Sequence, residues 1–135
     1  MTANVIEEKS YKFALTIIKI FKELSLNNEY VLSKQLLRSG TSIGANVVEG
    51  LRAQSRKDFI SKMNIALKEA NETEYWIRLL IDSGYLDSQK NSGLLTDCKE
   101  LCKILNSIVK TSRQNLADNI NEDPENYIIE FTCES

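Results

Sequence analysis

Along most of the chain, apolar side chains return every third or fourth position, the repeat of a helix with one buried face. The pattern predicts four helices. The first covers about 4–25, where Phe13, Ile17, Ile20 and Leu24 form a seam and Ala14, Ile18 and Phe21 a second row. Lys9, Lys12, Lys19, Lys22 and Glu23 fill its wet side. Two apolar rows let one helix meet two neighbours. Asn27 or Asn28 is then placed to cap a second helix over about 29–51, with Glu29 in the first turn, where the helix dipole favours an acid. Leu36, Gly40, Ile43 and Val47 share one face of that helix, and Leu37, Gly44 and Val48 the adjacent one.

The second half repeats the scheme. Ser55-Arg56-Lys57-Asp58 reads as a capping box, with Ser55 as the cap and Asp58 reaching back. The third helix runs to about 83 on a heptad-like seam of Phe59, Met63, Ala66, Ala70, Thr73, Ile77 and Leu80, widened by Ile60, Leu67 and Ile81. Gly84 sits where a left-handed C-cap belongs. Asp87 or Ser88 caps a fourth helix over about 89–116, with a seam of Leu94, Cys98, Leu101, Leu105 and Ile108 flanked by Leu95, Cys102, Val109 and Leu116. The short loops predict an all-α, antiparallel, up-down-up-down four-helix bundle over residues 1–118. Residues 119–135 form a C-terminal tail. Its polar start and Pro124 end any helix, and its apolar Tyr127, Ile128, Ile129 and Phe131 are expected to dock, with a neighbouring subunit as the host.

Gly40 and Gly44 disturb an otherwise ordinary second helix. Each costs about 1 kcal/mol relative to alanine inside a helix, so something must offset the cost. With Ser39, Thr41, Ser42 and Ala45 around them, the expected offset is a tight helix–helix contact, within the subunit or between subunits. A phosphate-cradling loop is the rival reading. It lacks a Gly-Lys-Ser/Thr ending and a preceding strand.

Composition narrows the chemistry. The chain has 135 residues, 17 basic against 19 acidic, and no histidine. That excludes Ser/His/Asp and Cys/His nucleophilic sites and the Glu-x-x-His motifs of di-iron bundles. Glu72 and Glu74 are two residues apart on one helix, so they point to different faces. No catalytic residue, metal ligand set or cofactor site is predicted, and the expectation is a protein that is not an enzyme. Three cysteines, without CxxC spacing, point to free thiols in a reducing cytoplasm, with Cys98 and Cys102 in the core. No apolar run has the length of a membrane span, and no signal-peptide pattern opens the chain.

Charge is unevenly spread. Residues 34–78 hold eight Lys and Arg against five acids. Arg52, Arg56, Lys57 and Lys62 cluster at the turn between the second and third helices, where they are candidates for holding nucleic-acid phosphates. Tyr75 and Trp76 lie farther along, as a stacking surface or as the edge of the core. Arg38, Ser42, Asn46 and Glu49 follow one another on one face of the second helix. Three readings stand open for them: a solvated face, a polar network with third-helix glutamates or a neighbouring subunit, or a ligand site.

The stretch from Leu36 to Leu86 carries a family resemblance. Its LLRSGTSIGANVVEG, SRKDFISKMNIALKEANETEYWIRLL and closing SGYL resemble the bacterial proteins encoded by intervening sequences within the large-subunit ribosomal RNA gene. The string RS-x-x-SI-x-AN-x-x-EG (Arg38, Ser39, Ser42, Ile43, Ala45, Asn46, Glu49, Gly50) is not one that generic bundles share. The resemblance implies an antiparallel four-helix bundle assembled as a homopentamer, with no established catalytic activity. It also points to a related group, the accessory proteins of diversity-generating retroelement reverse transcriptases, which present a basic surface to nucleic acid and enzyme. This chain is more acidic overall. It also carries Lys68-Glu69 where many members have Gly-Ser.

The leading expectation is therefore a cytoplasmic, self-associating interaction or scaffold protein whose partner is itself. A nucleic-acid-binding accessory protein and a small-molecule-binding bundle are the alternatives.

Overall fold

The computed structural model describes residues 3–118, and the expected docking tail lies outside them. Four helices make up an all-α bundle: α1 (Ala3–Leu26), α2 (Leu32–Leu51), α3 (Arg56–Asp82) and α4 (Ser92–Asp118). The predicted seams are the core. On α3 all seven positions from Phe59 to Leu80 are buried, Thr73 among them. On α1 the row of Phe13, Ile17, Ile20 and Leu24 is buried, whereas Ile18 in the second row is exposed.

Of the two mid-helix glycines, Gly40 marks the close approach: a Cβ there would stand 2.8 Å from Ile17 Cγ1, whereas one on Gly44 would meet the Ser10 carbonyl oxygen at an ordinary 3.4 Å. Positions that rise along α2 meet positions that fall along α1, so the two helices are antiparallel. The same logic holds between α2 and α3: Glu49 meets Lys62, and Ser39 meets Thr73. The helix α4 packs mainly on α3 and less extensively on α1, with Lys9 and Glu100 paired at 3.2 Å across the α1–α4 seam.

The first loop differs from expectation. Asn28 does not cap α2. It takes the left-handed conformation, φ 64°, and ends α1. Its N–H donates to the Ser25 carbonyl at 3.1 Å and the Glu29 N–H to the Leu24 carbonyl at 2.9 Å. These are the paired bonds of a Schellman motif, and asparagine tolerates the positive φ it needs. The capping passes to Glu29, and α2 starts at Leu32 rather than 29. The Glu29 carboxylate accepts from the N–H groups of Val31 (3.0 Å), Leu32 (3.2 Å) and Ser33 (2.6 Å). Gly84 closes α3 by the same motif, φ 87°, with Tyr85 N–H on the Leu80 carbonyl at 2.9 Å.

At the start of α3, Ser55 Oγ accepts from the Asp58 N–H at 3.1 Å. Ser55→Ala is expected to cost about 1 kcal/mol, read as a lower midpoint in urea unfolding with the slope unchanged. Before α4, the Asp87 carboxylate accepts from the N–H groups of Gln89 and Lys90, both at 2.9 Å. That turn occupies residues expected to be helical, so α4 begins at Ser92.

Candidate functional site

The polar face of α2 looks partly onto α3, as its ion pairs to that helix show. Arg38 shows what this does. Its Nη1 donates to Glu69 Oε1 at 3.3 Å, its Nη2 donates to Glu72 Oε2, and its Nε and Nη2 reach Gln35 Oε1 at 3.3 and 3.2 Å. Glu72 Oε2 also accepts from the Trp76 indole N–H at 2.9 Å. Beneath this layer Thr73 Oγ1 lies 2.9 Å from Ser39 Oγ and 2.7 Å from the Glu69 carbonyl oxygen, both hydroxyls fully buried. The guanidinium is half exposed, so its ion pairs contribute little net stability, about 0–1 kcal/mol. Their effect is orientation: they fix Glu72, and Glu72 fixes the Trp76 ring.

The other three residues of that face do different things. Asn46 Nδ2 donates back to the Ser42 carbonyl at 2.9 Å and lies 3.3 Å from Ser42 Oγ, a local arrangement within α2. Glu49 reaches across to Lys62 at 3.0 Å. The four residues are therefore not one connected site. Arg38 and Glu49 each make a separate bridge to α3.

The turn between α2 and α3 splits the four candidate cations. Arg52 and Lys57 are exposed. Arg56 is 4% exposed, so its guanidinium does not face solvent beside them. Lys62 carries the Glu49 carboxylate. Spacing along a helix shows which residues neighbour one another, but not which long side chain folds inward, so the sequence grouped all four.

The two helical cysteines lie in or beside the core, as their seam predicts. Cys98 is fully buried and its thiol donates to the Ala70 carbonyl at 3.4 Å. Contact with the Cys102 thiol and burial both push the Cys98 thiol well above the ordinary thiol range, the opposite of what a nucleophile needs. Among the described residues no group of three or more His, Cys, Asp or Glu side chains gathers as a metal site would require. Nor is any helix among them long and apolar enough to cross a membrane.

The most distinctive surface lies on the outer side of α1 and α2. A groove of about 520 Å³ runs between them, lined by Tyr11, Ala14, Thr41, Gly44, Ala45 and Val48, with Glu7 and Glu8 at one end. Tyr11, Leu15 and Ile18 are exposed along its α1 flank. The groove exists because α2 is built from small residues where it meets α1: Gly40 lets the backbones approach, and Gly44, Thr41 and Ala45 are too short to fill the space outside. The small-residue middle of α2 was the signal in the sequence, though it did not say which side of the helix would stay open.

The model of the 23S rRNA-intervening sequence protein family matches residues 3–107. A crystal structure of a protein of unknown function from the S23 ribosomal protein family, from Bacteroides thetaiotaomicron, is similar to this chain with a TM-score of 0.78. The two sequences are 52% identical, and the match covers 82% of this chain and 99% of that one. No curated protein matches.

Proposed function

The chain belongs to the 23S rRNA-intervening sequence protein family, and on that premise we propose that it is a non-enzymatic bundle that works by associating with copies of itself, as an interaction or scaffold protein. The observation that carries this reading is the open apolar groove on the outer face of α1 and α2. Soluble monomers rarely leave a contiguous apolar concavity flanked by exposed tyrosine, leucine and isoleucine side chains. Here Tyr11 and Leu15 are more than half exposed beside it. A homopentamer is the assembly this proposal favours.

The nucleic-acid alternative has less support. Two of its four candidate cations, Arg52 and Lys57, remain on the surface, while Arg56 is buried and Lys62 is paired. Two phosphate contacts give a weak association with a shallow salt dependence, a slope of about −1.8 on duplex DNA.

Sedimentation equilibrium tests the proposal directly. The mass of the full chain at micromolar concentration is expected to exceed 15.4 kDa by an integral factor. It is also expected to hold in moderate salt, since burial of apolar surface is not screened. A monomer at every concentration up to about 100 μM, a Kd range in which only weak contacts would be missed, would remove self-association from the account.

A further inference from the structure

We propose that the α1/α2 groove is filled by the outer face of α3 from a second copy of this chain, seated with its bundle axis parallel and with Tyr75 as the anchor. This rests on the self-association reading and names the surface that answers the groove.

Shape is the first argument. The groove is concave, and a concave surface laid on its own copy doubles the void instead of filling it, which forfeits the close packing that stabilises interfaces. The complement must therefore be a protruding side chain elsewhere on the molecule. On α3, Tyr75 is 56% exposed, beside a shallow hollow that it lines with Asn71, Arg78 and Asp82. The Tyr75 ring meets Trp76 edge-on at 5.2 Å between centroids and 68° between planes. Trp76 is held in turn by its hydrogen bond to Glu72, and Glu72 by Arg38. A large amphipathic ring already fixed by its neighbours loses little freedom on docking, which is the property of interface anchors.

Charge order is the second argument. On the outer face of α1, Glu8 and Lys22 bracket Leu15, each seven residues away. On the outer face of α3, Lys68 and Asp82 bracket Tyr75, each again seven residues away. All four charged side chains are exposed. Fourteen residues of helix span about 21 Å, so the two brackets have the same length and opposite polarity. Both α1 and α3 lie antiparallel to α2 and so point the same way. Parallel bundles then set Glu8 against Lys68 of the second copy, Leu15 beside Tyr75, and Lys22 against Asp82. Each copy offers one groove and one α3 face, so the contact is heterologous, and it closes into a ring where the rotation between neighbours divides a full turn.

Two exposed substitutions test this, one on each surface: Ala45→Arg fills the groove and Tyr75→Glu removes the anchor. Helical content by circular dichroism should match the unaltered chain in both. Each variant alone is expected to raise the concentration of half-assembly by about 30-fold or more, the effect of losing an interface anchor. An equimolar mixture should form a species of two chains and no larger, because one intact groove and one intact α3 face remain between them. A second pair avoids any packing change. Glu8→Lys or Lys68→Glu alone weakens assembly, and the double variant restores it. Assembly of Tyr75→Glu at the unaltered concentration, or no pairing in the mixture, overturns the α3 assignment while leaving self-association standing. An unaltered chain that stays monomeric overturns both.

Discussion

Gly40→Val is expected to lower the stability of the folded chain by about 3 kcal/mol, the upper part of the range for overpacking a well-filled core. The new Cβ would stand 2.8 and 2.9 Å from Ile17 Cγ1 and Cγ2. Ile17 cannot give way, since it is fully buried on the central row of α1 and a β-branched side chain in a helix has essentially one rotamer. The strain falls on the α1–α2 separation itself, and the groove outside depends on that separation. Thermal unfolding should show a fall of about 10 °C. The comparison variant is Gly44→Ala, whose Cβ meets only ordinary contacts at 3.4 Å. Relief of the glycine penalty, about 1 kcal/mol, should leave that variant as stable as the unaltered chain or slightly more so. If Gly40→Val and Gly44→Ala melted together, the close approach at Ile17 would not be what holds the two helices at their spacing.

The contrast between the two glycines shows how far the sequence could be read. Periodicity placed the four helices because burial on one face imposes it, and the seam from Phe59 to Leu80 is buried throughout. It could not rank Gly40 above Gly44, because both look alike until the neighbouring helix supplies a distance. The same limit applies to side chains long enough to choose. Arg56 was grouped with Arg52 and Lys57 by position alone, yet it is buried while they are exposed. The loops failed for a different reason. Asn28 and Glu29 are both favoured near a helix start, and local preference does not say that one ends the preceding helix while the other caps the next. The groove was legible only as a run of small residues on α2. Its open side became visible once Tyr11 and Ala14 of α1 were placed beside Thr41 and Ala45.

Glu29 carries the second large effect. Its carboxylate holds three N–H groups at the start of α2, where no side chain of the N-cap residue Val31 does so. Hydrogen bonds to a charged acceptor contribute about 1.5–3 kcal/mol, so Glu29→Ala is expected to cost about 2 kcal/mol at neutral pH. Glu29→Gln, which keeps a carbonyl acceptor but no charge, should cost roughly half of that. Burial pushes the carboxyl up, but the N–H groups of Ser33, Val31 and Leu32 together pull it further the other way, so it titrates below its ordinary value of 4.5. The sign follows from that direction. The unfolded chain binds the proton more readily, so the stabilisation is complete above pH 4.5 and is lost as pH falls through the lower, folded value. Urea unfolding of the unaltered chain and of Glu29→Gln should therefore differ by a constant amount from pH 7 down to about 5 and converge in more acid solution. A gap that stayed constant into acid would mean that Glu29 acts through packing rather than through its charge on the first turn of α2.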